Sequence, residues 1–275
     1  MKKTIPSLFL MLIGCSQYIT YYRYEINATG KAPQTISIAP LNILEVESQT
    51  GKIKGSFVDS ALREYLVKNN KKIVPNNSFE SIWLYNLGKL DGLYNSSNGK
   101  IKKDTMEKLI IQSVQAFCEL NACDAMIFPA IVERKALLSG PYGCWDGATR
   151  KLPMDNTVED PNKYYWVGNV KAASIKITIY SKDGKLYFKS FGGLELITKI
   201  TYDGKQFKSI NRENFIEDND YLTTAIRTAF HPFVIFKEYP KSPHFAISDS
   251  DHVLGITITP VQNENLKESK KWDNF

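Results

Sequence analysis

A chain of 275 residues with 43% hydrophobic and 12% aromatic side chains carries enough apolar material for a large globular core, which excludes a disordered or low-complexity polypeptide. Its formal charge of +6 is dispersed, with pairs such as Lys71-Lys72, Lys102-Lys103 and Lys270-Lys271 separated by long neutral stretches. A stripe able to displace phosphate counterions needs clustered cations, so nucleic acid is not an expected partner.

At the amino terminus Lys2 and Lys3 precede an apolar run from Ile5 to Ile13, broken only by Pro6 and Ser7, and Gly14 stands just before Cys15. A membrane-spanning helix needs about 20 apolar residues, so this run reads as a processed signal. The residues Leu12-Ile13-Gly14-Cys15 resemble the lipobox of bacterial lipoproteins. That resemblance implies a lipoprotein signal peptide over residues 1–14, acylation of the Cys15 thiol, and Cys15 as the first mature residue. Loss of Lys2 and Lys3 would lower the net charge by two. Anchoring through two or more acyl chains is stable, at roughly 0.8 kcal/mol per buried methylene. Ser16 stands where an aspartate favours inner-membrane retention, so the resemblance points to the outer membrane. An ordinary secretory signal with an incidental cysteine is the alternative. In the lipidated segment, residues 15–33, Tyr18, Tyr21, Tyr22 and Tyr24 fit an interfacial aromatic belt or a first β-strand, and strand packing is the preferred reading.

The other cysteines are Cys118, Cys123 and Cys144. Three thiols allow at most one bridge among themselves, and the sequence leaves open which pair forms, or whether any does. No CxxC is present and the histidines are only His231, His244 and His252, so neither a zinc site of usual spacing nor any cofactor is expected.

Along the mature chain, residues Gln34 to Leu41 read as a buried strand. Phe57, Val58, Ala61, Leu62, Tyr65 and Leu66 then form one helical stripe, with Ser56 as the expected cap and Asn69-Asn70 as the stop. A second strand is predicted from Lys72 to Pro75 and a brief helix from Ser78 to Leu84. Residues 88–100 read as an exposed loop. Asp104 and Glu107 suggest a capping box opening a helix that buries Met106, Leu109, Ile110, Val114 and Phe117 and ends near Asn121. Ala125 to Val132 is an inner strand in which Pro129 predicts an edge or a bulge. Turn residues Gly140, Pro141, Gly143, Gly147, Pro153 and Pro161 then predict a loop from Ser139 to Lys163. Its aromatics, Trp145 and Tyr164-Tyr165-Trp166, either pack that loop down or offer a binding surface, packing being preferred. Ile175, Ile177 and Ile179, the turn Asp183-Gly184, and Leu186, Phe188 and Phe191 make a hairpin. A last helix starts within Asp218–Asp220 and buries Leu222, Ala225, Ile226, Ala229, Phe230 and Phe233, with Pro240 and Pro243 excluding more helix. Residues 236–275 form an irregular tail in which Ile256–Ile258 is a candidate edge strand.

These elements predict an α/β (α+β) domain over residues 34–235, with a single mixed sheet of about five strands and helices covering a face. The order of elements, the phrase Ala122-Cys123-Asp124-Ala125-Met126-Ile127, the long hairpin and the closing helix Ala225-Ile226-Arg227-Thr228-Ala229 loosely resemble periplasmic lipoprotein domains. The relatives are the curli-secretion lipoprotein, the lipoprotein activators of peptidoglycan synthases, and the amino-terminal domain of the Tol-Pal translocation protein. The resemblance implies a non-catalytic module that binds an envelope protein or a second copy of itself.

No G-x-S-x-G elbow, P-loop or G-x-G-x-x-G occurs, so no catalytic residue is assigned and the protein is not expected to be an enzyme. Ser97-Asn98-Gly99-Lys100 matches a Ser-x-x-Lys pattern but sits in turn-rich sequence. Glu217-Asp218-Asn219-Asp220 reads as helix-start chemistry, and His231 as structural. The expected role is an outer-membrane lipoprotein held to the bilayer through Cys15 and acting as an interaction module. A ring-forming secretion subunit and a cell-envelope hydrolase are the alternatives. The first needs alternating membrane hairpins, which residues 88–100 and 139–163 lack.

Overall fold

The computed structural model describes residues 21–23, 32–44, 55–158, 164–212, 216, 218–239 and 258–262. Over these the chain is mixed α/β, with four helices, a nine-stranded mixed sheet and a separate two-stranded ribbon. The expected class holds, and the sheet is larger than five strands. Its first half runs through β1 (Tyr21–Arg23), β2 (Thr35–Ile38), α1 (Gly55–Lys68), β3 (Lys72–Val74), α2 (Phe79–Gly88), α3 (Lys103–Asn121) and β4 (Ala125–Ser139).

Strands β3, β2 and β4 lie side by side in that order and are parallel. The step from β2 to β3 runs one way across the sheet and the step from β3 to β4 runs back. Right-handed crossovers in opposite directions put their helices on opposite faces. Accordingly α1 buries Val58, Leu62 and Leu66 with Ile36, Ile38 and Ile127, while α2 and α3 bury Phe79, Trp83, Val114 and Phe117 with Met126 and Phe128. The sheet is thus covered on both faces. This explains why β4 is buried without alternation from Ala125 to Ile131.

Local chemistry fixes the element ends. Asn70 adopts a left-handed backbone, φ 59°, just past α1, and Asn69 donates to the Tyr65 carbonyl. Ser56 lies inside α1 instead of capping it. The N-cap of α3 is Lys102 and no side chain caps it, so Asp104 and Glu107 form no capping box; Asp104 sits in the first turn, where its charge favours the helix dipole. Pro129 lies in an inner strand, yet its missing donor is harmless. There β2 has ended and Asn42 takes over, its backbone N–H reaching the Pro129 carbonyl and its side-chain oxygen accepting from the Ile131 N–H.

The second half holds β5 (Tyr142–Trp145), β6 (Ala148–Lys151), β7 (Tyr164–Ser181), β8 (Leu186–Leu196), β9 (Thr198–Tyr202), β10 (Phe207–Asn211), α4 (Asn219–Phe230) and β11 (Ile258–Gln262). The segment expected as a loop over 139–163 therefore contains two strands, Tyr142–Trp145 and Ala148–Lys151. Strands β4 and β7 pair antiparallel along their length, from Ala125 opposite Ser181 to Ser139 opposite Val167. Both outrun the helices and curl. Strand β5 pairs with the far end of β4, β6 pairs with β5, Ile200 of β9 bonds Pro153 and Asp155, and Ile197 bonds Lys171 of β7. The ring so closed holds its own core of Leu138, Trp145, Leu152, Trp166, Val170 and Leu196.

Two adjacent glycines let this curl coexist with α4. A Cβ on Gly192 would stand 2.0 Å from the Ala225 carbonyl oxygen of α4, and one on Gly193 would stand 2.5 Å from Ala148 of β6. Helix α4 lies on one side of β8 and the β5–β6 hairpin on the other. The hairpin at Asp183-Gly184 forms as predicted, and both its faces are largely buried. Strand β1 pairs with β8, and β11 pairs with β7 from Ile258 opposite Gly168 to Gln262 opposite Tyr164, so the tail returns to the sheet.

Candidate functional site

The β5–β6 turn Asp146-Gly147 has both residues at positive φ, 37° and 76°, the backbone that joins two tightly paired strands. It aims β6 across the end of β8. There a cleft of about 600 Å³ opens, lined by Arg150, Lys151, Glu195, Arg212, Asp218 and Tyr221 among others.

Arg150 crosses from β6, donating through Nε to the Leu194 carbonyl (3.0 Å) and through Nη1 to the Thr149 carbonyl (3.2 Å). Its guanidinium carbon lies 3.9 Å from the centre of the Tyr221 ring. Its Nη2 is sheltered and meets no hydrogen-bond acceptor among the described residues. Burial pushes the guanidinium below its ordinary pKa, against the attraction of Tyr221, Asp218 and Glu195. On the opposite wall, buried Glu195 accepts from Arg212 Nη1 at 2.9 Å and from the Asp218 N–H at 3.5 Å. Asp218 caps α4, its carboxylate accepting from the Asp220 and Tyr221 amides as the helix-start reading expects. Both carboxylates are therefore engaged by the fold. Lys151 is exposed and meets no carboxylate among the described residues. The cleft is thus of mixed charge, with Arg150, Lys151 and Arg212 against Glu195 and Asp218, and Lys151 is its exposed cation.

A second buried ion pair braces the curl. Asp146, 3% exposed, accepts from Arg134 Nε at 2.9 Å and from the Ser174 hydroxyl at 2.6 Å. Trp145, anchored through its Nε1 to the Ala173 carbonyl, and Trp166 are both buried, so they pack the curl down and are not a binding surface.

Leu12, Ile13, Gly14 and Cys15 lie outside the described residues, as do His244 and His252. Cys118 and Cys123 form a disulfide at the carboxyl end of α3, both sulfurs buried, while Cys144 lies in β5, its sulfur also in a disulfide and 3.6 Å from the Thr149 hydroxyl. Ser97 is held in a surface turn by its amide and hydroxyl bonds to the Asn95 side chain, far in sequence from the cleft. His231 closes α4; its Nδ1 accepts from the Phe236 N–H and its ring stacks on Tyr239. Among the described residues no three His, Cys, Asp or Glu side chains gather as a metal site, and no helix is long and apolar enough to cross a membrane.

Sequence reasoning missed the cleft because its walls come from four separated segments. The one available signal was Asp146-Gly147, a two-residue hairpin turn that would have placed Arg150 on a strand. Compared with protein-family models, curated proteins and solved structures, the chain matches none.

Proposed function

We propose that this chain is a bacterial envelope lipoprotein, lipid-anchored through Cys15, that acts as a non-catalytic interaction module. The observation that carries the reading is the Cys118–Cys123 disulfide. Disulfides persist in oxidising compartments outside the bacterial cytoplasm, so this bridge supports export independently of the Leu12-Ile13-Gly14-Cys15 signal. A binding role is supported by the cleft, whose carboxylates are engaged in the cap of α4 and the Arg212 pair, leaving Lys151 exposed to meet a partner. The partner class that the reading favours is another envelope protein or a second copy of the chain.

The test is expression of the full precursor beside Cys15→Ala, with the intact mass and membrane partitioning of each. The wild type should lose residues 1–14, gain acyl mass and follow the membrane, and the variant should do none of these. Equal behaviour, or a Cys15 found in a disulfide with Cys144 instead of a thioether to lipid, would refute the anchor. Crosslinking of intact envelopes then reads the partner; recovery of bulk lipoproteins alone would count against the interaction module.

A further inference from the structure

Between α2 and α3 the chain makes a surface turn. Tyr94 bridges Ile101, the Asn95 N–H donates to the Lys100 carbonyl at 2.8 Å, and the Lys102 N–H donates to the Leu93 carbonyl at 2.9 Å. At its tip stands Asn98-Gly99, the one Asn-Gly step in the sequence, with both residues exposed. Gly99 has φ 67°, and a Cβ there would meet nothing within 4 Å, so the Asn98–Gly99 peptide is uncrowded on that side. Asn98 Oδ1 accepts from the Lys100 N–H at 3.0 Å, an Asx turn. That donor stands where negative charge develops when a nucleophile adds to the Asn98 side-chain carbonyl. The adjacent nucleophile is the Gly99 nitrogen, whose attack closes a small ring and needs no diffusional encounter.

We propose that Asn98 is a self-modification site, its carboxamide converted by the Gly99 amide, through a cyclic imide, into aspartate and β-linked aspartate. The inference stands apart from both the anchor and the cleft. In the first step hydroxide removes the Gly99 amide proton, the nitrogen bonds to Asn98 Cγ, and the Cγ–Nδ2 bond breaks, ammonia leaving with a proton from water. Water then opens the imide. Breaking the bond from nitrogen to Cγ gives aspartate; breaking the bond from nitrogen to the main-chain carbonyl carbon gives the β-linked form, whose backbone is longer by one carbon. The net change is water in and ammonia out, with no oxidant or reductant. Either product places a new negative charge at the tip of the turn, and the β-linked one also strains the Asn95–Lys100 pairing.

Other steps that could close the same ring are held back. Asp203-Gly204 is as open, yet Lys208 and the Gln206 and Lys205 amides hold the Asp203 carboxyl well below the usual range, and a carboxylate is a poor electrophile. Asp146 is buried on Arg134 and Ser174, and Gly184 abuts Ile111. Asn95 shares the Asx turn, bonding the Ser97 amide, but the residue after it is Ser96, whose Cβ crowds the attacking nitrogen. One bond opposes the reaction at Asn98: the Gly99 N–H donates to the Asn95 carbonyl at 2.9 Å. It is of the same kind as the Lys100 bond that assists, so the two offset and the folded turn does not protect the site.

The full wild-type chain and Asn98→Gln are incubated folded at pH 8.5 and 37 °C, with a parallel wild-type sample unfolded in guanidinium chloride. Digestion and electron-transfer mass spectrometry then separate asparagine, aspartate and β-linked aspartate at each position. Conversion at Asn98 should be at least about tenfold faster than at Asn95 or Asn77. The folded rate should lie within about tenfold of the unfolded one, the most that a single opposing hydrogen bond imposes. Lowering the pH to 7.5 should slow it about tenfold, because the deprotonated amide is a minor species that scales with hydroxide. Asn98→Gln, which needs a larger ring, should keep its carboxamide and its urea midpoint. An Asn98 that stays intact in the folded chain while the unfolded chain converts would overturn the proposal, since the turn then locks the site. Equal conversion at Asn95 and Asn98, no conversion in either sample, or ammonia loss from Asn98→Gln at the wild-type rate would overturn it as well.

Discussion

Replacing Gly192 with alanine should be among the most damaging single-methyl additions in this fold. The new Cβ would stand 2.0 Å from the Ala225 carbonyl oxygen, 2.8 Å from its carbonyl carbon and 3.0 Å from the Ala229 nitrogen, all backbone atoms of α4. Ordinary contact requires about 3.4 Å or more, so helix and strand must part by more than about 1 Å. Rotamer changes cannot relieve a clash with backbone, which places the cost at the upper end of the usual 1–3 kcal/mol for overpacking, about 3 kcal/mol. Leu222, Ala225, Ile226 and Ala229 would also lose part of their contact with the sheet. For a chain of this size that corresponds to a fall of about 6–12 °C in Tm. Gly88→Ala is the matched control: its Cβ would meet nothing within 4 Å, and it ends helix α2, so the change should be neutral or stabilising by up to about 1 kcal/mol. Urea unfolding followed by circular dichroism reads both. A G192A midpoint within about 0.5 kcal/mol of wild type would refute the packing of α4 on β8 described above.

Three further outcomes are expected. Asp146→Ala leaves Arg134 and Ser174 without their shared acceptor in a buried setting, so it should cost about 3 kcal/mol by urea titration, and Asp146→Asn, which keeps the oxygen and tolerates the left-handed turn, should cost less. Equal losses from the two would show that the carboxylate charge is what matters. Removing the disulfide with C118A/C123A should cost about 2 kcal/mol, the loop-closure value for so short a loop, measured as the difference from the oxidised wild type; no change on reduction of the wild type would argue that the bridge is not formed. Burial lowers the His231 pKa, so the folded state favours the neutral ring, and its Nδ1 must stay unprotonated to accept from Phe236. That contribution is present above the unfolded pKa of about 6.5 and is lost as pH falls through the lower folded value. The stability gap between wild type and His231→Asn should therefore narrow from pH 7.5 to pH 5.5, and a gap constant over that range would rule out the titration.

Much of the secondary structure was legible because helices and the main hairpin are local. The apolar stripe of α1, the long stripe of α3, the Asp218 cap of α4 and the turn at Asp183-Gly184 each depend on residues within a few positions of one another. The resemblance of Leu12-Ile13-Gly14-Cys15 to a lipobox is a linear signal read from consecutive residues, and tertiary structure adds nothing to its legibility. Strands β5 and β6 were hidden because Gly140, Pro141, Gly143 and Gly147 look like loop, while their place in the sheet depends on β4 running on to Ser139 beside a partner more than twenty residues away. Trp145 and Trp166 were ambiguous for the same reason, since whether an aromatic is core or surface is decided by what the curl closes over. Which cysteines pair was decided only when the left-handed turn at Ala122 brought Cys123 back beside Cys118. The cleft is the extreme case. Arg150, Glu195, Arg212 and Asp218 share no sequence pattern, and only the fit of α4 against Gly192 and of β6 against Gly193 brings them to one place.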